Sequence, residues 1–113
     1  MDDRAPTVEL MWWEGCPSTP EALSQLREAM TELGLDPASV EMREVRTDED
    51  AEREGFVGSP TIRVGGRDVQ APDPPEPPGL TCRVYRLRDG RYSPTPDPQD
   101  VKDALERALT ERI

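Results

Sequence analysis

Met11-Trp12-Trp13-Glu14-Gly15-Cys16-Pro17-Ser18-Thr19-Pro20-Glu21 is the stretch on which the fold turns. Just before it, Thr7 to Trp12 alternates polar and apolar residues and ends in bulky ones, the pattern of a strand buried on at least one face. That strand runs directly into a turn at Glu14-Gly15-Cys16-Pro17. Ser18 and Thr19 are good N-caps, Ser18 with Glu21 would make a capping box, and Pro20 is tolerated only in a first helical turn. Leu23, Leu26, Met30 and Leu33 then recur at steps of three and four, one apolar stripe, and Gly34 supplies a left-handed stop. A strand hands over to a helix with a cysteine at the junction.

Working outward, Val40 to Val45 sets Val40, Met42 and Val45 among charged residues and reads as a second strand. Thr47-Asp48-Glu49-Asp50 opens a short helix with acids at its positive end, and Gly55 closes it with Phe56 and Val57 packed beneath. Thr61 to Val69 reads as two antiparallel strands around the Gly65-Gly66 turn. Five prolines in residues 70–79 exclude helix and central strand there. Cys82 to Leu87 reads as a strand, Asp89-Gly90 as a hairpin turn, and Tyr85 and Tyr92 as cross-strand packing. Asp97-Pro98 starts a last helix with Val101, Ala104, Leu105, Ala108 and Leu109 on one face. The residues after the prolines are too few to fold alone, so the prolines form a stiff excursion within one domain spanning 1–113, with residues 1–6 a disordered or extended tail. The expected class is α/β, βαβαββα with a proline-rich insertion and an extra hairpin, a central mixed sheet flanked by helices.

Bulk properties narrow the functions. Of 113 residues, 34% are hydrophobic and 34% charged, and the formal net charge of −10 is concentrated in residues 1–70. Such a surface repels phosphate backbones, which argues against nucleic-acid or anionic-membrane partners. The polar start, Met1 to Ala5, has no apolar run behind it long enough for a signal peptide, so a cytoplasmic location is expected. There a stable structural disulfide is disfavoured, and two cysteines are buried hydrophobes or working thiols. With no histidine, a Cys-His nucleophile and imidazole zinc ligands are excluded, and two cysteines cannot make a four-thiolate zinc site. No cofactor is expected, and the chain reads as a monomer or weak dimer.

A thiol at the amino end of a helix faces unpaired N–H groups and the positive end of the dipole, which favours thiolate. Cys16 is therefore a candidate nucleophile or soft-metal ligand. Trp13, with Trp12, either walls a substrate groove beside it or belongs to the core.

Cys16-Pro17 at the junction of the first strand and first long helix, Gly58-Ser59-Pro60-Thr61 before a strand, and a glycine turn into the next strand together resemble the thioredoxin superfamily. The resemblance implies a thioredoxin-like fold in which Ser59-Pro60 is cis and packs beside the active cysteine, so that Pro17, Ser59 and Pro60 join Trp13 as expected substrate contacts. More narrowly, the Gly15-Cys16-Pro17 loop, the proline-rich stretch and Leu80-Thr81-Cys82-Arg83 followed by Tyr85 are similar to small bacterial thioredoxin-family proteins often labelled alkylmercury lyase.

Thr19 stands where the redox members have their second cysteine, so a Cys-x-x-Cys disulfide cannot form. Its hydroxyl either donates to the Cys16 thiolate or caps the helix. Cys82 is either the resolving cysteine or a small buried hydrophobe at a strand start; it reaches Cys16 if the strand after Gly66 returns toward Pro60. Arg83, Arg86, Arg88 and Arg91 either attract an anionic thiol or protect a hairpin edge. Three functions follow. The first is monothiol-type thiol-disulfide chemistry at catalytic Cys16, Thr19 and Cys82, with a low-molecular-weight thiol or a protein disulfide as partner. The others are soft-metal or organomercurial binding or cleavage through Cys16 and Cys82, and a non-catalytic binding module.

Overall fold

The computed structural model describes residues 6–72 and 74–111. Six strands and three α-helices follow one another along them: β1 Val8–Trp12, α1 Thr19–Glu32, β2 Glu41–Glu44, α2 Asp48–Glu54, β3 Thr61–Val64, β4 Arg67–Asp68, β5 Tyr85–Arg86, β6 Tyr92–Ser93 and α3 Pro98–Glu111. The first four strands form one mixed sheet in the order β2-β1-β3-β4. β1 runs parallel to β2 and antiparallel to β3, with Leu10 facing Met42 on one side and Ile62 on the other. β5 and β6 pair separately as a two-stranded hairpin. The expected tail lies, apart from Pro6, outside the described residues.

β1 is central and buries both faces, as its alternation requires. Val8 and Leu10 pack on Ala22, Leu26, Ala29 and Met30 of α1 and on Val101, Ala104 and Leu105 of α3. Met11 points the other way, into a cluster with Val45, Ala51 of α2 and Phe56. Leu10, Met11, Leu26, Phe56, Ile62 and Leu105 are all fully buried. β2 lies at the sheet edge, so Met42, part of the apolar alternation of its strand, is left 42% exposed.

The helix ends follow the sequence except at one place. The Leu35 and Gly34 N–H groups close α1 on the Met30 and Thr31 carbonyls at 2.8 and 3.1 Å, with Gly34 left-handed. Thr47 caps α2 by accepting from the Asp50 N–H at 3.0 Å. The capping box at the start of α1 does not form. Ser18 takes a helical backbone, φ −89° and ψ 0°, and its side chain caps nothing, because an N-cap oxygen reaches the first turn from an extended backbone.

The late segment departs further from its sequence reading. Cys82 to Leu87 is not one strand: only Tyr85 and Arg86 pair in the hairpin, because the backbone around Cys82 pairs with Ser59 instead. The expected cross-strand packing is found at Tyr92, whose ring centroid lies 5.5 Å from the guanidinium of Arg86 on the paired strand, and the two tyrosines are differently buried. Tyr85 faces Ser93 and is fully buried, whereas Tyr92 faces Arg86 and is 69% exposed. Residues 70–72 and 74–79 carry no helix or strand, as their prolines require, and the Gly79 N–H ties their end to the Phe56 carbonyl at 3.0 Å. Among the described residues no helix is long and apolar enough to cross a membrane.

Candidate functional site

The carboxyl end of β1, the start of α1 and the approach to β3 meet at one end of the sheet. Cys16 closes the turn after β1, its N–H donating to the Trp13 carbonyl at 3.1 Å. The Trp13 indole lies against Gly15 so closely that a Cβ there would collide with the ring. Trp13 N–H in turn donates to Ser59 Oγ at 3.1 Å, which ties the cysteine turn to the Gly58-Ser59-Pro60 loop. The Ser59-Pro60 peptide is cis. Cys16 is buried, at 6% exposure.

Against this loop lies Thr81-Cys82-Arg83. The Ser59 N–H donates to the Thr81 carbonyl at 2.8 Å and the Arg83 N–H donates to the Ser59 carbonyl at 2.9 Å, a single parallel bridge. Cys82 is thereby set beside Cys16, Cα to Cα 5.7 Å, and the two are joined as a disulfide across 66 positions of sequence. That separation lies inside the range of about 4.4–6.8 Å that a disulfide spans. The strand after Gly66 does return toward Pro60, and Cys82 is exposed rather than a buried hydrophobe.

The residues on either side of Cys82 hold the segment without the sulfur bond. Arg83 is buried, its Nη1 2.6 Å from Asp68 Oδ2, and its Nη2 donates to the Gln70 carbonyl at 2.6 Å. Its guanidinium also lies 4.3 Å from the centroid of the Tyr85 ring. The Tyr85 hydroxyl donates to the Pro60 carbonyl, and burial pushes its phenol well above the ordinary range, which keeps the donor proton in place. Gln70 clamps the next residue, its Oε1 accepting from the Arg86 N–H at 3.1 Å and its amide donating to the Arg86 carbonyl at 3.1 Å.

Gly58 makes the close approach possible. Its φ is +136°, and a Cβ there would sit 2.5 Å from Arg83 Cγ and 3.2 Å from the Arg83 backbone nitrogen. Gly58→Ala therefore meets both a backbone penalty of about 1–3 kcal/mol and a collision with the docked Thr81-Cys82-Arg83 segment. The expected result is a less stable protein with a lower yield of Cys16–Cys82 disulfide on air oxidation, read by alkylation and mass. Wild-type stability and yield would contradict this role.

The four arginines do not act as one set. Arg83 is buried in its ion pair, Arg88 is held by Asp100 and Asp103 at 2.6 and 2.7 Å, and Arg91 pairs with Asp89 at 2.8 Å. Arg86 lies over the Tyr92 ring. An anion-attracting cluster is thus replaced by separate pairs, because each guanidinium finds a carboxylate or a ring nearer than its neighbours.

Thr19 opens α1 rather than capping it, and its Oγ1 is buried with no hydrogen-bond partner. Pro17 is exposed beside the disulfide cysteine. Trp13 packs at the border of the Met11 and Phe56 cluster and is only partly buried, so it belongs to the core edge as well as to the loop. Sequence reasoning missed Gly58, Arg83 and Tyr85 as the frame of the site. No sequence signal marks them, because burying Arg83 while exposing Cys82 and Val84 runs against the polarity of the residues.

The fold and site together define an α/β protein with a cysteine pair at the end of a mixed sheet, one cysteine before a helix and the other on a segment docked across the loop by a single bridge. Comparisons with protein-family models, with curated proteins and with solved structures return no match.

Proposed function

We propose that the chain is a thioredoxin-like protein that cycles between the Cys16–Cys82 disulfide and the dithiol, exchanging with a low-molecular-weight thiol or a protein disulfide. The observation that carries this reading is the docking of Cys82 onto Cys16 by contacts that do not depend on the sulfur bond. A purely structural disulfide has no need of a cysteine at a helix start. Here one sulfur sits before the first turn of α1, where a thiolate is stabilised when the bond opens. Three residues on, Thr19 Oγ1 is buried and unpaired in the oxidised protein. A buried hydroxyl without a partner is costly, and a thiolate at Cys16 would accept a hydrogen bond from it. In a chain read as cytoplasmic, a disulfide is of the transient, catalytic or redox-sensing kind.

The βαβαββ order, with the helix after the first strand and Ser59-Pro60 cis beside the cysteine pair, supports the thioredoxin-like assignment. Cys82 stands in for the partner that Thr19 displaces from the Cys-x-x-Cys position, so the pair is dithiol in character although the motif is monothiol.

The pH profile of alkylation tests this. In the reduced Cys82→Ser variant the Cys16 thiol is expected to react with iodoacetamide along a curve centred well below the ordinary thiol range, and Thr19→Val is expected to move the curve upward. A curve in the ordinary range, insensitive to Thr19, would count against the reading.

A second reading rests on the same proximity: the reduced pair could hold a soft metal between two thiolates. Mercury(II) or arsenic(III) bound tightly by the dithiol, and lost in either cysteine variant, would favour it.

A further inference from the structure

Cys16 and Cys82 present unequal access to solvent. Cys16 is buried at 6% exposure, in the turn against which Trp13 packs, whereas Cys82 is exposed on the bridged segment between exposed Thr81 and buried Arg83. We infer that Cys82, not Cys16, is the sulfur through which the pair exchanges with an external thiol or disulfide, and that Cys16 is the internal resolving thiolate. This rests on the thiol–disulfide reading above and reverses the roles that the helix-terminal position alone suggests.

Two physical factors point the same way. A thiolate attacks a disulfide sulfur in line with the bond it breaks, so the accessible sulfur is attacked and the buried one leaves. Leaving is faster for the thiol of lower pKa, and Cys16 is the one at the amino end of α1. In the reductive direction an external thiolate, its proton released to water, forms a bond to Cys82 Sγ. The Cys16–Cys82 bond breaks and its electron pair stays on Cys16 as thiolate. A second external thiolate then attacks the outer sulfur of the mixed disulfide, releases Cys82 as thiolate and departs as a symmetrical disulfide. Two thiols are oxidised and one protein disulfide is reduced. By microscopic reversibility, the oxidative direction starts with Cys82 thiolate attacking an external disulfide and ends with Cys16 thiolate displacing the adduct.

The geometry keeps these roles in the reduced protein. Arg83, Tyr85 and the Ser59 bridge hold Cys82 on the outer side of Cys16 whether or not the sulfurs are bonded, so Cys16 remains covered.

The test uses the oxidised wild-type protein, limiting 2-mercaptoethanol and iodoacetamide to alkylate each thiolate as it is freed, followed by peptide mass mapping. Chains carrying mercaptoethanol on Cys82 and carbamidomethyl on Cys16 are expected to exceed the converse by about tenfold or more, as unequal access and unequal leaving groups require. An equal split, or an excess of mercaptoethanol on Cys16, would overturn this inference and leave the redox reading standing. A native disulfide that yields neither adduct while remaining folded would overturn both.

Discussion

Reduction of the Cys16–Cys82 disulfide is expected to lower the stability of the fold by about 4 kcal/mol, the loop-closure entropy that a bridge across 66 positions withholds from the unfolded chain in the chain-entropy model. For a small domain whose whole stability is of order 5–15 kcal/mol, this is a large share. The thin core makes it more so, since only 34% of the residues are hydrophobic. The reduced protein is nevertheless expected to stay folded, because β1, β3, α1 and α3 bury Leu10, Ile62, Leu26 and Leu105 without help from the sulfurs. Urea unfolding of the oxidised protein beside the reduced protein kept in dithiothreitol measures the difference. A gap below about 1 kcal/mol would mean that the unfolded chain is already compact around the bridge.

Arg83→Met should cost a comparable amount, about 3 kcal/mol, toward the lower end for a buried ion pair that loses one partner. The Arg83 side chain is 6% exposed and that of Asp68 15%, so the side chain left behind is mostly, not wholly, removed from water. The variant also loses the bond to the Gln70 carbonyl and the contact with the Tyr85 ring. Adding Asp68→Asn should recover part of the loss by removing the stranded charge. Chemical denaturation of the single and double variants checks this, and a single-variant loss under about 1 kcal/mol would show that Arg83 is not the anchor of the docked segment.

Much of this molecule was legible in the chain. The first strand, the long helix and its glycine stop, the capped short helix and the Gly65-Gly66 turn all come from local chemistry, and all lie where their residues put them. What could not be read is the partner of the segment after the prolines. Strand patterning identifies Cys82 to Leu87 as extended but not what it pairs with, and two backbone bonds to Ser59 were enough to draw its first half away from the hairpin. Ser18 shows the limit of local rules in another way. A capping sequence is present, but the cysteine turn sets the backbone at Ser18 helical and the box cannot close. Arg83 was hidden among three other arginines, and only burial separates it from them.

The site was legible to the extent that chemistry is carried by residue type. Cys16 at a strand-to-helix junction is identifiable from its residues, whereas that Ser59-Pro60 belongs to the same place is what the resemblance to the thioredoxin superfamily implies. Whether Cys82 reached that place depended on a return path through the prolines that no local pattern encodes. The frame that delivers it, Gly58, Arg83 and Tyr85, works through long-range contacts of residues that look ordinary one at a time.

The most direct test of the redox reading is an equilibrium titration of the folded protein in thiol–disulfide buffers of graded potential, acid-quenched and alkylated so that mass counts the free thiols. The account predicts one reversible transition in which both cysteines change together, tenfold in ratio for each 30 mV or so, as a two-electron couple requires. A protein that stays fully oxidised until it unfolds, or whose cysteines titrate separately, would contradict it.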